Sequence, residues 1–440
     1  MSHVFPRHTK SNLPLAAKGD GAYILDANGK RYLDGSGGAA VSCLGHSDAD
    51  VIAAIKEQLD RIAFAHTSFF TSEPAERLAD RLIAHAPGSL DRVYFTSGGS
   101  EAVESALKMA RQYFLEKGEP KRARFIARRQ SYHGNTLGAL GTGGNAWRRA
   151  QFEPLMVETS HIAPCHEYRW REEGETSEDY GLRVANELEE EILRLGPETV
   201  IGFVAEPVVG ATMGAVPPVP GYFKRIREIC DKYGILLILD EVMCGMGRTG
   251  TLFACEQDGI APDIVTIAKG LGAGYQPIGA ALCTAEIYDA FVQGSGFFQH
   301  GHTYIGHPTA TAAGDAVVKK LTEGGMVARA AQQGEKLDAA LREAFGAHPH
   351  IGDIRGRGMF RGLEIVEDRA TKAPFDPARA IHKKLKAASF EAGLICYPMG
   401  GTIDGQTGDH ILLAPPFIIS DDQIGELVDK LGTAVRTVLG

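Results

Sequence analysis

One lysine stands directly after a short apolar run in the middle of the chain. Residues 264–268 are rich in β-branched side chains, which is typical of a buried strand, and Lys269 follows at its end. Glycines at 270, 272 and 274 come next, and glycine allows close backbone approach. An amine withdrawn from water has a lowered pKa and can attack a carbonyl carbon. Lys269 is therefore a candidate for condensation with an aldehyde, although this motif alone is more typical of an exposed loop lysine.

A carboxylate ends a second apolar run. Residues 236–239 lead to Asp240, which stands 29 residues before Lys269, a separation that fits two nearby strands of one sheet. An ionised carboxylate beside a pyridine nitrogen keeps this nitrogen protonated, and the ring can then withdraw electrons. Aspartates at strand ends also cap helices or bind metals. The role beside a pyridine nitrogen is therefore predicted for Asp240 only in combination with Lys269.

Small residues before a predicted helix could bind a phosphate. A predicted strand at residues 92–96 is followed by Ser97, Gly98, Gly99 and Ser100, after which apolar residues recur with helical spacing. The free N–H groups and the positive dipole end of a helix N-terminus attract anions. The alternative is that Ser100 only caps the helix.

Two side chains could cover the faces of a planar ring. Tyr132 follows a predicted strand at residues 124–127, and Val242 lies two residues after Asp240. An aromatic and an aliphatic side chain can press on opposite faces of such a ring. A lysine, an acid, a phosphate cradle and two ring-covering side chains together match pyridoxal 5′-phosphate (PLP), with Lys269 as the residue that holds the aldehyde carbon.

Motifs over nearly the whole chain resemble those of the class III aminotransferases, which belong to the fold-type-I group of PLP enzymes. The motifs are YLDG at residues 32–35, FTSGGSEA at 95–102, YHG at 132–134, AEP at 205–207, LDEV at 239–242, GRTG at 247–250, AKG at 268–270 and HGHTYIGHP at 300–308. Each motif is weak alone, and their order along one chain makes the resemblance specific.

The resemblance implies a role for each matching position. Lys269 and Asp240 would be the catalytic residues, and the phosphate would also receive Thr303 from a partner subunit. The residues implied to contact the cofactor are Ser97, Gly99, Ser100, Tyr132, His133, Glu206, Asp240, Val242, Lys269 and Thr303. A site completed by a neighbour's threonine implies a homodimer or a larger assembly with shared active sites.

Three positions depart from the family pattern in ways that bear on the cofactor and the pocket. Gly98 stands where a serine is frequent, which is expected to shift that phosphate contact to Ser97 or Ser100. Met243 stands where glutamine is frequent, so a hydrogen bond near the 3-hydroxyl of the cofactor is expected to be absent. Ala40 replaces a tryptophan of many relatives, and a roomier pocket is expected there.

The arginine that binds a substrate carboxylate in many amine:pyruvate members has no counterpart here. Tyr397 falls at its place, a glycine-rich stretch runs to Gly408, and no arginine occurs between Arg379 and Arg436. A bidentate contact to a carboxylate must therefore come from elsewhere. The predicted substrate contacts are Ala40, Tyr397 and the candidate arginines Arg7, Arg148 and Arg149.

The predicted function is the transfer of an amino group from an amine or ω-amino acid to a 2-oxo acid, pyruvate or 2-oxoglutarate, by a ping-pong mechanism. The same cofactor supports other reactions, so a PLP-dependent lyase or aminomutase is the alternative. A non-catalytic PLP-binding protein is a more distant one. Three histidines at 300, 302 and 307 lack the spacing of a metal site, and no metal is predicted.

The elements that must position these residues alternate along the chain. Predicted strands lie at residues 92–96, 124–127, 200–204, 235–239 and 264–268, and predicted helices lie after residue 97, at 180–195 and at 222–233. This alternation favours an α/β fold with a mostly parallel sheet, as in fold-type-I PLP transferases, and such sheets bind ligands at the carboxyl ends of their strands.

The two ends of the chain have a different pattern. A hairpin around Asn28-Gly29 and mixed elements near the C-terminus predict a smaller α+β domain built from both termini. The predicted boundaries are 1–55 and 331–440 for the small domain and 56–330 for the large PLP-binding domain.

Composition limits the classes of partner. The 440 residues are 44% hydrophobic and 23% charged with a net charge of −9, which disfavours a nucleic-acid partner. Because no apolar run approaches about 18 residues, no membrane association is predicted. Seven scattered cysteines, and a first stretch without the apolar core of a signal peptide, predict a cytoplasmic protein.

Overall fold

The computed structural model describes residues 3–440. The strands are β1 Ala16–Asp20, β2 Tyr23–Asp26, β3 Arg31–Asp34, β4 Leu90–Thr96, β5 Arg124–Arg128, β6 Ser160–Ile162, β7 Val200–Ala205, β8 Leu236–Asp240, β9 Ile264–Ile267, β10 Gly279–Thr284, β11 Ile351–Arg357, β12 Phe360–Ile365, β13 Leu394–Ile395, β14 Tyr397–Gly400 and β15 Asp409–Leu413.

The helices cover both the central and the terminal parts of the chain. They are α1 Gly37–Ala40, α2 Ala49–Arg61, α3 Glu73–Ile83, α4 Gly99–Glu116, α5 Leu137–Thr142, α6 Ala146–Arg149, α7 Glu167–Trp170, α8 Ser177–Leu195, α9 Tyr222–Tyr233, α10 Ala285–Gln293, α11 Pro308–Thr322, α12 Met326–Phe345, α13 Ile381–Glu391 and α14 Asp421–Leu439. Short 3-10 helices lie at Glu153–Leu155, Pro197–Thr199, Ala254–Asp258, Lys269–Leu271 and Pro377–Arg379.

A seven-stranded sheet forms the centre of the molecule, with the order β4-β10-β9-β8-β7-β5-β6. Six strands run in one direction, and β10 alone is antiparallel to both of its neighbours. The predicted mostly parallel α/β sheet is therefore confirmed, whereas β10 had not been predicted.

Both faces of this sheet are covered, which explains why its strands are continuous apolar runs. Leu237 and Leu239 of β8 belong to one buried cluster, and their neighbours Leu236 and Ile238 belong to another on the opposite face. The second cluster includes one face of α4. Alternate side chains of a strand point to opposite faces, so a strand covered on both faces has no polar side.

The two ends of the chain meet in a smaller sheet of order β1-β2-β3-β13. The predicted hairpin is confirmed: β2 and β3 pair antiparallel around a turn in which Gly29 has a φ of 82°. Strand β13 then pairs parallel with β3, and a third sheet has the order β11-β12-β15-β14.

The proposed domain limits remain a proposal. A boundary after residue 55 falls inside helix α2, which packs against α11 of the central region. Within residues 3–440, no helix is both long and apolar enough to cross a membrane.

Candidate active site

A cavity of about 430 Å³ opens at the edge of the central sheet where the parallel strands end. Strands β4, β5, β7, β8 and β9 all end at this edge, and the chain after each of them contributes to the lining. The lining consists of Val41, Glu206, Asp240, Val242, Met243, Ala268, Lys269, Gly274 and residues 97–100, 132–134 and 276–278. The structure thus brings the predicted strand-end residues into one cavity.

Lys269 follows β9 and lines the cavity, and its backbone conformation is unusual. Its φ of 44° is in the left-handed region, which non-glycine residues rarely adopt, and such strain concentrates at functional sites. Burial lowers the pKa of its amine, while the carboxylates of Asp240 and Glu206 act in the opposite direction. A neutral amine is thereby more accessible than on an ordinary lysine.

Three hydrogen-bonding groups surround the side chain of Asp240. His133 Nδ1 lies 2.8 Å from Asp240 Oδ2, and the amide of Val242 donates to Oδ1 at 3.0 Å. The Thr266 hydroxyl is 3.4 Å from the same Oδ1. Asp240 and His133 are only 4% and 2% exposed, so their hydrogen bond is shielded from water. This is the environment in which a carboxylate can hold a proton on a ring nitrogen.

The residues predicted for the two ring faces line the same cavity. Val242 lies directly against Gly99, where an added Cβ would be 2.7 Å from Val242 Cγ1. Tyr132 faces the cavity as well, and burial raises the pKa of its hydroxyl. A glycine at 99 is therefore required by the position of Val242.

The phosphate candidates stand at the beginning of α4. The first amides of a helix have no acceptor within the helix, and α4 begins at Gly99 beside the cavity. Ser100 Oγ donates to Asn135 Oδ1 at 3.0 Å and accepts from the Asn135 amide at 3.1 Å. Gly98 has an extended backbone, and an added Cβ there would meet nothing within 4 Å.

Glu206 follows β7 and holds the backbone around the cavity. Its two carboxylate oxygens accept from the amide of Tyr132 at 3.0 Å and from the amide of Gly210 at 2.9 Å. Burial raises the pKa of this carboxyl group. Glu206 thus fixes the position of Tyr132 in addition to lining the cavity.

These features fit PLP. The cavity offers an amine with a lowered pKa, a shielded carboxylate, a helix N-terminus and a glycine cradle against Val242. His133 also has a buried Nε2 without a partner in residues 3–440. PLP would supply the electron-withdrawing ring, and the chain supplies the groups that bind and orient it.

The predicted substrate arginines lie in three different settings. Arg148, on α6, has its Cζ 4.5 Å from the centre of the Tyr132 ring. Arg149 Nη1 instead donates to the carbonyls of Gly141 and, at 2.8 Å, Gly143, next to α5. Arg7 is exposed in the N-terminal segment. Arg148 therefore contacts a cavity residue directly, and the charges of both Arg148 and Arg7 lower the pKa of Tyr132 against the effect of burial.

Ala40 and Tyr397 belong to an apolar cluster beside the cavity. Ala40 is 3% exposed and packs in a cluster with Met243 and Phe360, and Tyr397 lies against that cluster. The cavity lining at this point is the next residue, Val41. The roomier pocket expected at Ala40 therefore stays a prediction.

Thr303 does not line the cavity of its own chain. It is exposed in the segment before α11. Its predicted contact with a partner's phosphate therefore stays a prediction.

Two groups of site residues had not been predicted. Val41 lies outside every motif that the sequence suggested. Gln276, Pro277 and Ile278 directly precede β10. Because β10 runs against its neighbours, its first residue lies at the edge where the other strands end. Recognising β10 as antiparallel would have placed residues 276–278 in the site.

The comparisons with known proteins agree with this geometry. A family model described as aminotransferase class-III matches residues 4–435. An uncharacterized aminotransferase of Schizosaccharomyces pombe is 48% identical over 100% of this chain and 96% of its own. The chloroplastic gamma aminobutyrate transaminase 3 of Solanum lycopersicum is 37% identical over 98% of this chain and 82% of its own.

A solved structure gives the same result for the fold. The crystal structure of an amine transaminase from an uncultivated Pseudomonas species, in a PLP-bound form, superimposes with a TM-score of 0.93. It is 36% identical and covers 100% of this chain and 99% of that one. The fold is thus that of the fold-type-I PLP transaminases, and the predicted cofactor and aminotransferase activity are confirmed. The chain belongs to the class III aminotransferase family.

Proposed function

We propose that this PLP-dependent aminotransferase takes its amino group from an amine or ω-amino acid and transfers it to pyruvate or 2-oxoglutarate by a ping-pong mechanism. The observation that carries the proposal is the convergence of Lys269 and Asp240, at the ends of two adjacent parallel strands, on one cavity. Similarity to a gamma aminobutyrate transaminase and to an amine transaminase supports this class of donor.

The residues of the cavity divide the work of this reaction. Lys269 would hold the cofactor, and its amine lies in the cavity where it could move the proton at the substrate carbon as a general base and acid. Asp240, hydrogen-bonded to His133, would bind the ring nitrogen and favour its protonated form. Tyr132 and Val242 would cover the ring faces, and Ser97, Gly99 and Ser100 with the amides of α4 would bind the phosphate.

We also propose a homodimer, or a larger assembly, with shared active sites. Thr303 is exposed, and so are several large apolar side chains on nearby segments, namely Phe69, Phe70, Phe297 and Tyr304. Large contiguous apolar patches on a protein surface mark interaction sites. This supports a partner subunit that covers the segment and receives Thr303 at its phosphate.

The proposed compartment is the cytoplasm. All seven cysteines are free and buried, which is the state of thiols in a reducing environment.

The test is a donor screen in two half-reactions. The PLP-loaded enzyme is mixed with an amine or ω-amino acid alone, and the visible absorbance of the bound cofactor should disappear. Pyruvate or 2-oxoglutarate should then restore it, with one equivalent of carbonyl product released in the first step. A lyase or an aminomutase would instead turn over its substrate many times without an acceptor, and this outcome would contradict the proposed reaction.

A further inference from the structure

Arg148 is a cation without a counter-ion beside the cavity. Its guanidinium stacks on the ring of Tyr132 and lies 5.9 Å from the ring of Trp147. Among residues 3–440, no carboxylate oxygen lies within 4.0 Å of this guanidinium, and only the backbone amide of Arg148 makes a hydrogen bond. A half-buried guanidinium held only by aromatic rings has all of its N–H donors available for an anion.

The other candidate arginines are less suited to this role. The guanidinium of Arg149 is occupied by the carbonyls at the end of α5. Arg7 is exposed, on a segment without regular structure. Arg149 would have to give up these bonds to bind a carboxylate, whereas Arg7, whose charge lowers the pKa of Tyr132 against the effect of burial, remains the rival of Arg148.

Gln130 holds the helix that carries Arg148. Asn145 caps this helix by accepting the amide of Arg148 at 3.1 Å, and its Nδ2 donates to Gln130 Oε1 at 3.0 Å. Gln130 Nε2 in turn donates to the carbonyls of Gly401 at 2.7 Å and Thr402 at 3.1 Å. Because Gln130 is only 4% exposed, these bonds are shielded from water.

The segment of residues 401–408, which we call the glycine loop, also packs on α6. A Cβ added at Gly405 would lie 3.1 Å from the amide nitrogen of Trp147. The loop follows β14, which begins with Tyr397, and it closes on itself through a bond from the Gly401 amide to the Gly408 carbonyl at 2.8 Å. The loop, which follows the strand of Tyr397, therefore packs against the helix of Arg148 and supports it.

We propose that Arg148 binds the α-carboxylate of the 2-oxo acid acceptor, and that Gln130 and the glycine loop position it. This inference rests on the proposed transamination and names the residue that recognises the acceptor. A guanidinium can bind a carboxylate through two parallel hydrogen bonds. When an amine without a carboxylate occupies the site, the guanidinium stays on Tyr132 and no charge is left unpaired in an apolar pocket.

The test compares acceptors that differ only by the carboxylate. Acetaldehyde is pyruvate with hydrogen in place of the carboxylate, and succinic semialdehyde bears the same relation to 2-oxoglutarate. For Arg148→Gln, the KM of the 2-oxo acid should rise about ten- to a hundredfold, because charged hydrogen bonds are lost. The KM of the matching aldehyde should change by less than about twofold. Calorimetry with propanoate, a carboxylate that does not react, should show the same loss of affinity.

Controls separate binding from folding and from the rival arginine. Arg148→Lys keeps a charge without the bidentate geometry and should recover part of the affinity. Gln130→Met should raise the KM of the 2-oxo acid but leave that of the aldehyde unchanged, whereas a general structural loss would move both. Arg7→Gln should change neither.

Three results would overturn the inference. The first is an Arg148→Gln enzyme that uses acids and aldehydes as the wild type does, or loses both equally. The second is a selective loss in Arg7→Gln instead. The third is a wild-type enzyme that reacts with none of these acceptors, in which case the proposed function fails as well.

Discussion

The cofactor side of the cavity and its substrate side are built in different ways. The cofactor side consists of residues at the ends of buried parallel strands or just after them, namely Ser97, Glu206, Asp240 and Lys269 with their neighbours. The proposed substrate side, next to the cavity lining, consists of a four-residue helix with Arg148, the glycine loop and Tyr397. Strand ends are fixed by the hydrogen bonds of the sheet, whereas loops are free to change. The sheet therefore positions the residues for the chemistry, whereas the loops and the short helix provide the proposed substrate contacts.

The polar groups of the two sides also differ in their hydrogen-bond and ion-pair partners. Asp240 has three hydrogen-bonding partners inside the protein, and Glu206 has two. Within residues 3–440, the guanidinium of Arg148, in contrast, lies over the rings of Tyr132 and Trp147 without a hydrogen bond or an ion pair. Groups such as Asp240 are already held in place before the reaction. The guanidinium of Arg148 has free N–H donors for a bound anion.

The largest effect is expected from Lys269→Ala, which removes the cofactor attachment itself. Multiple turnover and the visible absorbance of the lysine-bound cofactor should both be lost. The thermal midpoint by circular dichroism should stay near that of the cofactor-free wild type. Lys121→Ala, at an exposed position, is the matched control and should behave as wild type. A Lys269→Ala enzyme that keeps the absorbance band would place the attachment at another lysine.

Asp240→Asn tests whether the shielded carboxylate acts on the chemical step. The amide has the same shape but no charge, so kcat should fall about a hundred- to a thousandfold, as when one preorganised charged contact is removed. Bound cofactor should be measured in the same samples, by absorbance after gel filtration. Activity within about tenfold of wild type would remove the electron-withdrawing role from Asp240.

Thr303→Ala tests whether the cofactor side is completed by a second chain. Loss of a charged hydrogen bond worth about 1.5–3 kcal/mol should weaken cofactor retention by about ten- to a hundredfold. Mixing Lys269→Ala subunits with Thr303→Ala subunits should restore tight binding, because each mixed dimer contains one site with both residues intact. If exchange restores nothing, or if the active enzyme sediments as a monomer, the shared-site proposal is wrong.

Two adjacent glycines offer a sharper test of the phosphate cradle. Gly98→Ser should slow cofactor loss by up to about tenfold, because open space and an extended backbone admit a further hydroxyl donor. Gly99→Ala should speed cofactor loss, since its Cβ would press on Val242. Dialysis of the two loaded enzymes, followed by residual absorbance, measures both. The rate of cofactor loss must fall in Gly98→Ser and rise in Gly99→Ala. Equal changes in this rate would contradict the geometry.

The smallest effect is a shift in pH dependence. The neutral amine of Lys269 is the form that captures PLP, so loading of the cofactor-free enzyme should accelerate as pH rises through the lysine pKa, which burial places below its ordinary value. Glu206 opposes this lowering. Glu206→Gln should therefore move the pH–rate curve to lower pH, as followed by stopped-flow absorbance. A shift to higher pH would contradict this electrostatic role.

Much of the cofactor side was predictable from the sequence because each residue follows a recognisable apolar run. Asp240 and Lys269 are examples, and parallel strands that are buried on both faces leave such runs in the sequence. Residues 276–278 were missed because the direction of β10 depends on its pairing partners. A strand that is buried on both faces has the same pattern in either direction.

The choice among three arginines shows the same limit on the substrate side. Arg148 and Arg149 are adjacent in sequence and chemically identical, yet one stacks on Tyr132 and the other bonds to carbonyls. The surroundings of a side chain on a short helix depend on how that helix is packed, and this helix packs on the glycine loop some 250 residues later.

By itself, therefore, the sequence determined the family, the cofactor and the lysine–aspartate pair, because these depend on local patterns and their order. The tertiary structure decided which arginine lies beside the cavity, the support of Asp240 by His133, and the contact that requires glycine at position 99. These contacts join residues far apart in the chain, and their geometry exists only after the strands have paired and the loops have packed on them.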